Sequence, residues 1–297
     1  MRSSVWIVQA VLVCLATPLH ADDVKSAAST LEKDIVFAKI DGRELRLDLV
    51  RPTSGTRPLP LVLWVHGGGW LMGDRKDYHA GMRDMAQFGF AGASVQYRLA
   101  PAYTFPAQLD DIKHALAFLR TNAAKYDIDP KRIAVGGGSA GGHLALMLGL
   151  ADQGEDKSHP PVRAVVDMLG PTDFTTWKIN RDADDLMRRS LGVDLDGLLV
   201  DFLGTSDRQD RRMLEASPTT YVRAGNPAVL IIHGTADTWV PFQQAQVLYD
   251  ALKRAGVKAR LVPLEGASHF DIFWRPEQRA KSKQEMVQFL KQELEQK

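Results

Sequence analysis

The sequence has almost no cysteine: Cys14 is the single one in 297 residues, and it lies inside the one N-terminal apolar stretch, Val5 to Ala16. A disulfide framework, thiol catalysis and cysteine-ligated metal are therefore excluded for the rest of the chain. Charge of one sign is lacking too. Thirty-seven Lys and Arg stand against 36 Asp and Glu, for a net charge of +1. Such a balance creates no field that would draw in a polyanion, so nucleic acid is not an expected partner. No apolar run reaches the roughly 20 residues of a membrane-spanning helix. Internal repeats, low-complexity tracts and a linker that would split the chain are also missing.

The N-terminus reads as a targeting segment. Arg2 gives a positive start, Val5 to Ala16 is mostly apolar, and "TPLHA" ends on a small residue before Asp22 and Asp23. Residues 1–21 are predicted to be a cleaved export signal rather than an anchor, because the apolar part is short and no cationic stop follows it. Export would place the protein in the periplasm or medium. Cleavage would leave 276 residues with no cysteine and no net charge. Val13, directly before Cys14, is not small, which argues against lipidation of that cysteine.

The remaining residues, 22–297, have the composition of one large α/β domain. "DIVFAKI" and "RELRLDLV" flank Asp41-Gly42 and predict an opening hairpin. Further strands are expected at Leu61 to Val65, Ala91 to Tyr97, Arg132 to Val135, Val162 to Met168, Ala228 to Ile232 and Lys258 to Leu264. Helical spacing appears at Tyr78 to Phe88, Gln108 to Tyr126, Ala140 to Ala151, Phe242 to Ala255 and Glu277 to Glu295. This alternation implies a mostly parallel sheet of eight strands with helices on both faces and ligands at the strands' carboxyl ends. Between the sixth and seventh strands, Pro171 to Asn226 is too long for a simple connection. It predicts a small helical insertion, with Phe174 and Trp177 over the site and "RDADDLMRRS" as a solvated helix face.

The chemistry concentrates in two glycine clusters. Gly137-Gly138-Ser139-Ala140-Gly141 fits G-x-S-x-G between a strand and a helix, the context in which a serine is presented on a sharp turn. A serine hydroxyl needs a histidine base and a carboxylate to orient it. Asp237 follows the strand "AVLII", 98 residues after Ser139, and His269 follows the next strand 32 residues later. Asp173 is the competing carboxylate. His66, His114, His143, His159 and His233 are the competing imidazoles, expected to be solvated or to orient loops and core. "HGGGW", from His66 to Trp70, also follows a strand. Gly68 and Gly69 there, with Ala140 after the serine, are the expected backbone donors to an oxyanion, and Gly67 is an alternative to one of them. Trp70, Trp239 and Phe270 neighbour these elements and either line an acyl or alcohol pocket or pack the loops.

Taken together, "HGGGW", "YRLAP" with "FPAQLDD", "GGGSAGGH", "HGTADTWVP" and "GASHF" resemble the α/β-hydrolase esterases of the hormone-sensitive-lipase-like and acetyl-xylan or feruloyl esterase-like group. The resemblance covers about residues 34 to 295. It implies the α/β-hydrolase fold and a serine carboxylic ester hydrolase without metal or cofactor, acting through an acyl-enzyme on a small-molecule or carbohydrate ester. Two departures narrow it: Gly138 stands where hormone-sensitive-lipase-like proteins usually have Asp, and the hairpin starts without an N-terminal helical cap. The second favours the capless or small-capped relatives resembling acetyl-xylan and feruloyl esterases. A serine peptidase or an arylformamidase on the same residues, and a non-catalytic binding protein on the same fold, are the alternatives.

Overall fold

Asp41 and Gly42 both adopt positive φ, 51° and 77°. That is the two-residue turn whose twist matches paired strands, and it joins β1 (Ser29–Ile40) to β2 (Arg43–Pro52) with Ile40 opposite Arg43. The computed structural model describes residues 28–151 and 162–295, so the expected export signal with Cys14, and also His159, lie outside the described residues. Six more strands follow: β3 (Leu59–Val65), β4 (Ala91–Val95), β5 (Ile128–Gly138), β6 (Ala164–Met168), β7 (Ala228–Gly234) and β8 (Ala259–Leu264). They form one open eight-stranded sheet in the order β1-β2-β4-β3-β5-β6-β7-β8. β2 is antiparallel to both of its neighbours, and every other adjacent pair is parallel. This is the α/β-hydrolase fold.

Helices cover both faces because the central strands are apolar on both faces. Along β3, Leu61, Leu63 and Val65 join the core under α2 (Ala107–Thr121), α3 (Ala140–Leu150) and α7 (Gln243–Arg254). Val62 and Trp64 face the other way, into the core under α1 (His79–Ala86) and α8 (Pro276–Leu294). No helix among the described residues is long and apolar enough to cross a membrane.

β1 and β5 run furthest past their expected bounds. β1 begins five residues before Asp34, because register shifts at Glu32/Ile35 and Val36/Ala38 break the alternation that marks a strand in the sequence. β5 runs through all three glycines to Gly138. A Cβ at Gly136 would lie 2.9 Å from the Trp64 ring, and one at Gly137 would lie 2.4 Å from the Gly141 backbone. These glycines allow close packing within a strand as well as the turn that follows.

The segment between β6 and β7 holds α4 (Arg181–Leu191), α5 (Leu195–Leu203) and α6 (Arg211–Ala216). Each starts on a side-chain cap: Asn180 accepts from Ala183 N–H, Asp194 from Gly197 N–H and Asp210 from Arg212 N–H. Gly192 and Gly204 end the first two with φ of 83° and 74°, as the left-handed C-terminal cap requires. In "RDADDLMRRS" only Ala183 and Met187 are buried, so the charges line the solvent side. Leu195, Leu198, Leu199 and Phe202 of α5 turn inward.

Candidate functional site

Ser139 sits between β5 and α3 with φ 55° and ψ −123°, a conformation that a non-glycine residue holds only when its surroundings enforce it. The enforcement is visible. Ser139 N–H donates to Met168 O at 2.8 Å, and His143 N–H donates to Ser139 O at 3.0 Å. The approach of α3 to the sheet leaves no room for side chains at two positions of the helix's first turn: a Cβ at Gly141 would be 2.1 Å from Val65 O, and one at Gly142 would be 2.4 Å from Asp167 Oδ1. Residues 141 and 142 are glycine for that steric reason.

The loops after β7 and β8 are tied together. Thr235 N–H donates to Leu264 O and Ala236 N–H to Ala267 O, each at 3.0 Å, and a Cβ on Gly234 would fall 2.3 Å from Ala267 O. This places Asp237 Oδ2 at 2.6 Å from His269 Nδ1, and His269 Nε2 at 3.0 Å from Ser139 Oγ. Asp237 Oδ1 accepts from the N–H groups of Trp239 and Val240, both at 2.9 Å. Burial alone would raise the Asp237 carboxyl. The adjacent imidazoles of His269 and His233 and their hydrogen bonds overcome that and hold it well below the usual carboxylate range. An ionised, fully hydrogen-bonded carboxylate thus orients an imidazole whose other nitrogen meets a serine hydroxyl, an arrangement able to take the hydroxyl proton as a nucleophile attacks.

The first glycine cluster stands beside this chain of contacts. A Cβ on Gly67 would lie 2.8 Å from Gly138 O and 3.6 Å from Ser139 Cβ. Gly68 and Gly69 have φ of 107° and 61°, and the Gly68 carbonyl accepts from Leu71 and Met72 N–H at 3.1 Å, which curls the loop. Ala140 N–H is the first of α3 and has no acceptor within the helix. Support comes from below. Tyr97 Oη donates to His66 O at 3.0 Å and its ring stacks on His66 at 4.1 Å, while His66 Nδ1 contacts Gly67 O at 2.9 Å. Burial lowers the His66 pKa to about 4, so it remains a neutral brace. Tyr97 had no signature of its own beyond its place in "YRLAP".

The competing residues are occupied elsewhere. Asp173 Oδ1 accepts from Thr175 N–H and Oγ1 at 2.9 and 2.6 Å. His143 is buried and its Nε2 pairs with Ala216 O at 2.7 Å. His233 Nε2 pairs with Val240 O at 2.7 Å and also lies 3.4 Å from Asp237 Oδ2. It therefore braces the loop that carries Asp237.

The three aromatic candidates part company. Trp239 and Phe270 flank the imidazole, with ring centroids 5.7 and 5.3 Å from that of His269. Trp70 belongs to the core, 1% exposed, and does not face the imidazole as they do. Its φ of 61°, after two glycines of positive φ, turns the indole inward. There it stacks on Phe202 of α5 at 4.0 Å and meets His143 edge-on at 5.3 Å. Phe174 and Trp177 complete this cluster at 5.8 and 6.4 Å, so they pin the insertion down. The insertion reaches the glycine loop, where a Cβ on Gly69 would meet Leu191 and Leu198 at 3.2 and 3.4 Å. Trp70→Ala is expected to destabilise the fold by about 3–5 kcal/mol, as loss of a large buried aromatic does. A shift of the urea midpoint worth under about 1 kcal/mol would contradict this packing role.

Several known proteins are similar to this chain. The BD-FAE family matches residues 47–252. The probable carboxylic ester hydrolase LipM of Mycobacterium tuberculosis is 32% identical over 222 residues, which cover 72% of this chain and 50% of LipM. The chain spans about half the length of the curated relatives it matches. Among solved structures, the thermophilic esterase Est2 of the Planctomycetes species Thermogutta terrifontis aligns with a TM-score of 0.68 and 26% identity, over 90% of this chain and 92% of its own. Est2 has also been solved with propionate and with butyrate bound. A truncated carbohydrate esterase from gut microbiota aligns with a TM-score of 0.71 and 25% identity, over 92% of this chain and 99% of its own.

Proposed function

This chain belongs to the BD-FAE family, and from that premise we propose that it is an exported serine carboxylic ester hydrolase acting on short-acyl or carbohydrate-linked esters of the acetyl or feruloyl type. The observation that carries this reading is the continuous contact from Asp237 Oδ2 through His269 to Ser139 Oγ, at 2.6 and 3.0 Å. Ser139 Oγ attacks the ester carbonyl carbon while His269 Nε2 takes its proton. The tetrahedral oxyanion is held by the N–H of Ala140 and by two N–H groups of the Gly67–Gly69 loop, with Gly68 and Gly69 the expected pair. His269 then gives its proton to the departing alkoxide, which leaves an ester between Ser139 and the acyl group. Water repeats the sequence, with His269 again as base, and frees the acid. Asp237 stays ionised throughout and keeps the Nδ1 proton directed toward itself.

Short acyl groups are favoured by what surrounds the serine. Leu191 and Leu198 of the insertion close on Gly69, and Trp239 and Phe270 flank His269. The propionate and butyrate complexes of Est2 are consistent with a small acyl site in this group. An ester panel tests the reading. For p-nitrophenyl acetate, butyrate, octanoate and palmitate, kcat/KM is expected to fall at least tenfold beyond butyrate, and acetylated xylan and methyl ferulate extend the panel to carbohydrate-linked and feruloyl esters. A flat or rising series would reject the small-site proposal, and a fluorophosphonate probe that fails to label Ser139 would reject serine hydrolysis altogether. Export is tested by the N-terminus of the periplasmic or secreted protein, expected at Asp22.

A further inference from the structure

Behind Asp237 lies a second buried carboxyl that the proposed reaction does not use. Asp167, on β6, is fully buried: its Oδ1 accepts from Gly170 N–H at 3.0 Å, whereas its Oδ2 has no hydrogen-bond partner. On the neighbouring strand β7, His233 is equally buried, and its Nδ1 likewise has no partner. The sheet register places these two side chains together. Asp167 pairs with Ile231, and His233, two residues further on, returns to the same face of the sheet. The two groups interact electrostatically. Buried polar atoms are seldom left unpaired, and these two lie within one local setting.

We propose that a single water joins the protonated Asp167 Oδ2 to His233 Nδ1, and that the Asp167 proton positions Asp237. The chemistry is complementary. His233 Nε2 is committed as a donor, to Val240 O at 2.7 Å with Asp237 Oδ2 at 3.4 Å. An imidazole that donates from Nε2 accepts at Nδ1, and a protonated carboxyl that donates to the bridging water leaves that water a hydrogen to give to Nδ1. With that proton in place, His233 keeps its hydrogen on Nε2, steadies the loop whose Trp239 and Val240 N–H groups hold Asp237, and donates toward the carboxylate that orients His269. When the proton leaves to solvent, a second buried negative charge appears behind Asp237. Asp167 is thus a positioning residue, acting through His233.

The surroundings favour the protonated form. Burial raises the Asp167 carboxyl to about 7, against a smaller lowering by His233 and by the Gly170 N–H. Other titratable groups on the packed elements are few. β5 brings Gly136, Gly137 and Gly138 alongside, and α3 brings Gly142 and His143, whose ring is bonded to Ala216 O. After β6, Asp173 is taken up by Thr175, and Asp237 lies beyond His233.

The proposal rests on the hydrolase reading for its consequence, but the Asp167 proton can be measured without turnover. The experiment follows the 15N resonances of His233, identified by their loss in His233→Gln, from pH 5 to 9 in the full chain and in Asp167→Asn and Asp167→Val. In the unaltered protein Nδ1 is expected to shift with a midpoint near the Asp167 value of about 7. In Asp167→Asn, whose amide N–H mimics the protonated acid, that shift should vanish while Nε2 keeps its hydrogen. In parallel, the fall of kcat/KM above neutrality should be lost in Asp167→Asn, with activity at pH 6 retained. Asp167→Val, which offers nothing to Nδ1, should lose about tenfold in kcat with KM little changed, the kind of loss that slight misplacement brings. An unchanged pH response of these resonances in Asp167→Asn overturns the proposed proton. Equal pH profiles for the unaltered protein and Asp167→Asn overturn its role in positioning. If no ester is turned over at all, the hydrolase reading fails while the resonances still decide the pairing.

Discussion

Ser139→Ala is expected to lower kcat for p-nitrophenyl acetate by about five to six orders of magnitude, the scale on which removal of an activated serine acts. The fold should survive the change. Alanine keeps the Cβ, meets the same backbone demand at φ 55°, and loses a hydroxyl whose partner is His269 Nε2. The backbone bonds that hold the turn, Ser139 N–H to Met168 O and His143 N–H to Ser139 O, involve no side-chain atom of residue 139. Turnover and thermal melting measured on the same preparation separate the two effects. Activity within tenfold of the unaltered protein, with an unchanged melt, would remove Ser139 from the reaction.

Asp237→Asn is expected to lower kcat by about four orders of magnitude at neutral pH, although it changes one atom. The physical reason lies in which oxygen is committed where. Oδ1 accepts from two backbone N–H groups, of Trp239 and Val240. An amide must therefore leave its oxygen there and turn its NH2 toward His269 Nδ1. The imidazole must then accept at Nδ1 and carry its hydrogen on Nε2, the nitrogen that has to receive the serine proton. Substrate binding involves none of these atoms, so KM should change little.

The same variant has a pH signature in stability. Asp237 is held below its ordinary range in the folded protein, so its stabilising contribution is present above the unfolded-state value and is lost as pH falls through the lowered one. Asp237→Asn should therefore be less stable than the unaltered protein at pH 7, with the gap closing in strong acid. Urea midpoints at pH 7 and pH 3 measure it. A gap that is constant across that range would mean that the carboxylate charge contributes nothing to the fold.

Much of the site could be read along the chain because its requirements are local. A serine held at a positive φ needs small neighbours at Gly137, Gly138, Gly141 and Gly142, and such a cluster stands out in any sequence. Asp237 and His269 follow strands that announce themselves by apolar runs, so their order and placement follow from counting. The hairpin at Asp41-Gly42 is equally local, since two positive φ values in succession require that kind of pair. Where local signals weaken, reading falters. The start of β1 has no alternation to mark it because a bulge removes it, and the end of β5 has no mark because glycine inside a strand looks the same as glycine in a turn.

The alternation of strand and helix, the two glycine clusters and the places of Ser139, Asp237 and His269 after their strands are legible in the chain itself, because each depends on periodicity or on the backbone needs of a few adjacent residues. Which neighbours these residues keep is a matter of folding. It turned Trp70 into the core against Phe202, set Trp239 and Phe270 beside His269, braced the glycine loop on Tyr97, and brought the unpaired atoms of Asp167 and His233 onto one face behind Asp237. Those pairings join strands 66 residues apart in the chain and an insertion folded back over the sheet, as with Asp167 and His233. Contacts of that kind are set by sheet register and side-chain packing, which no local pattern of residues encodes.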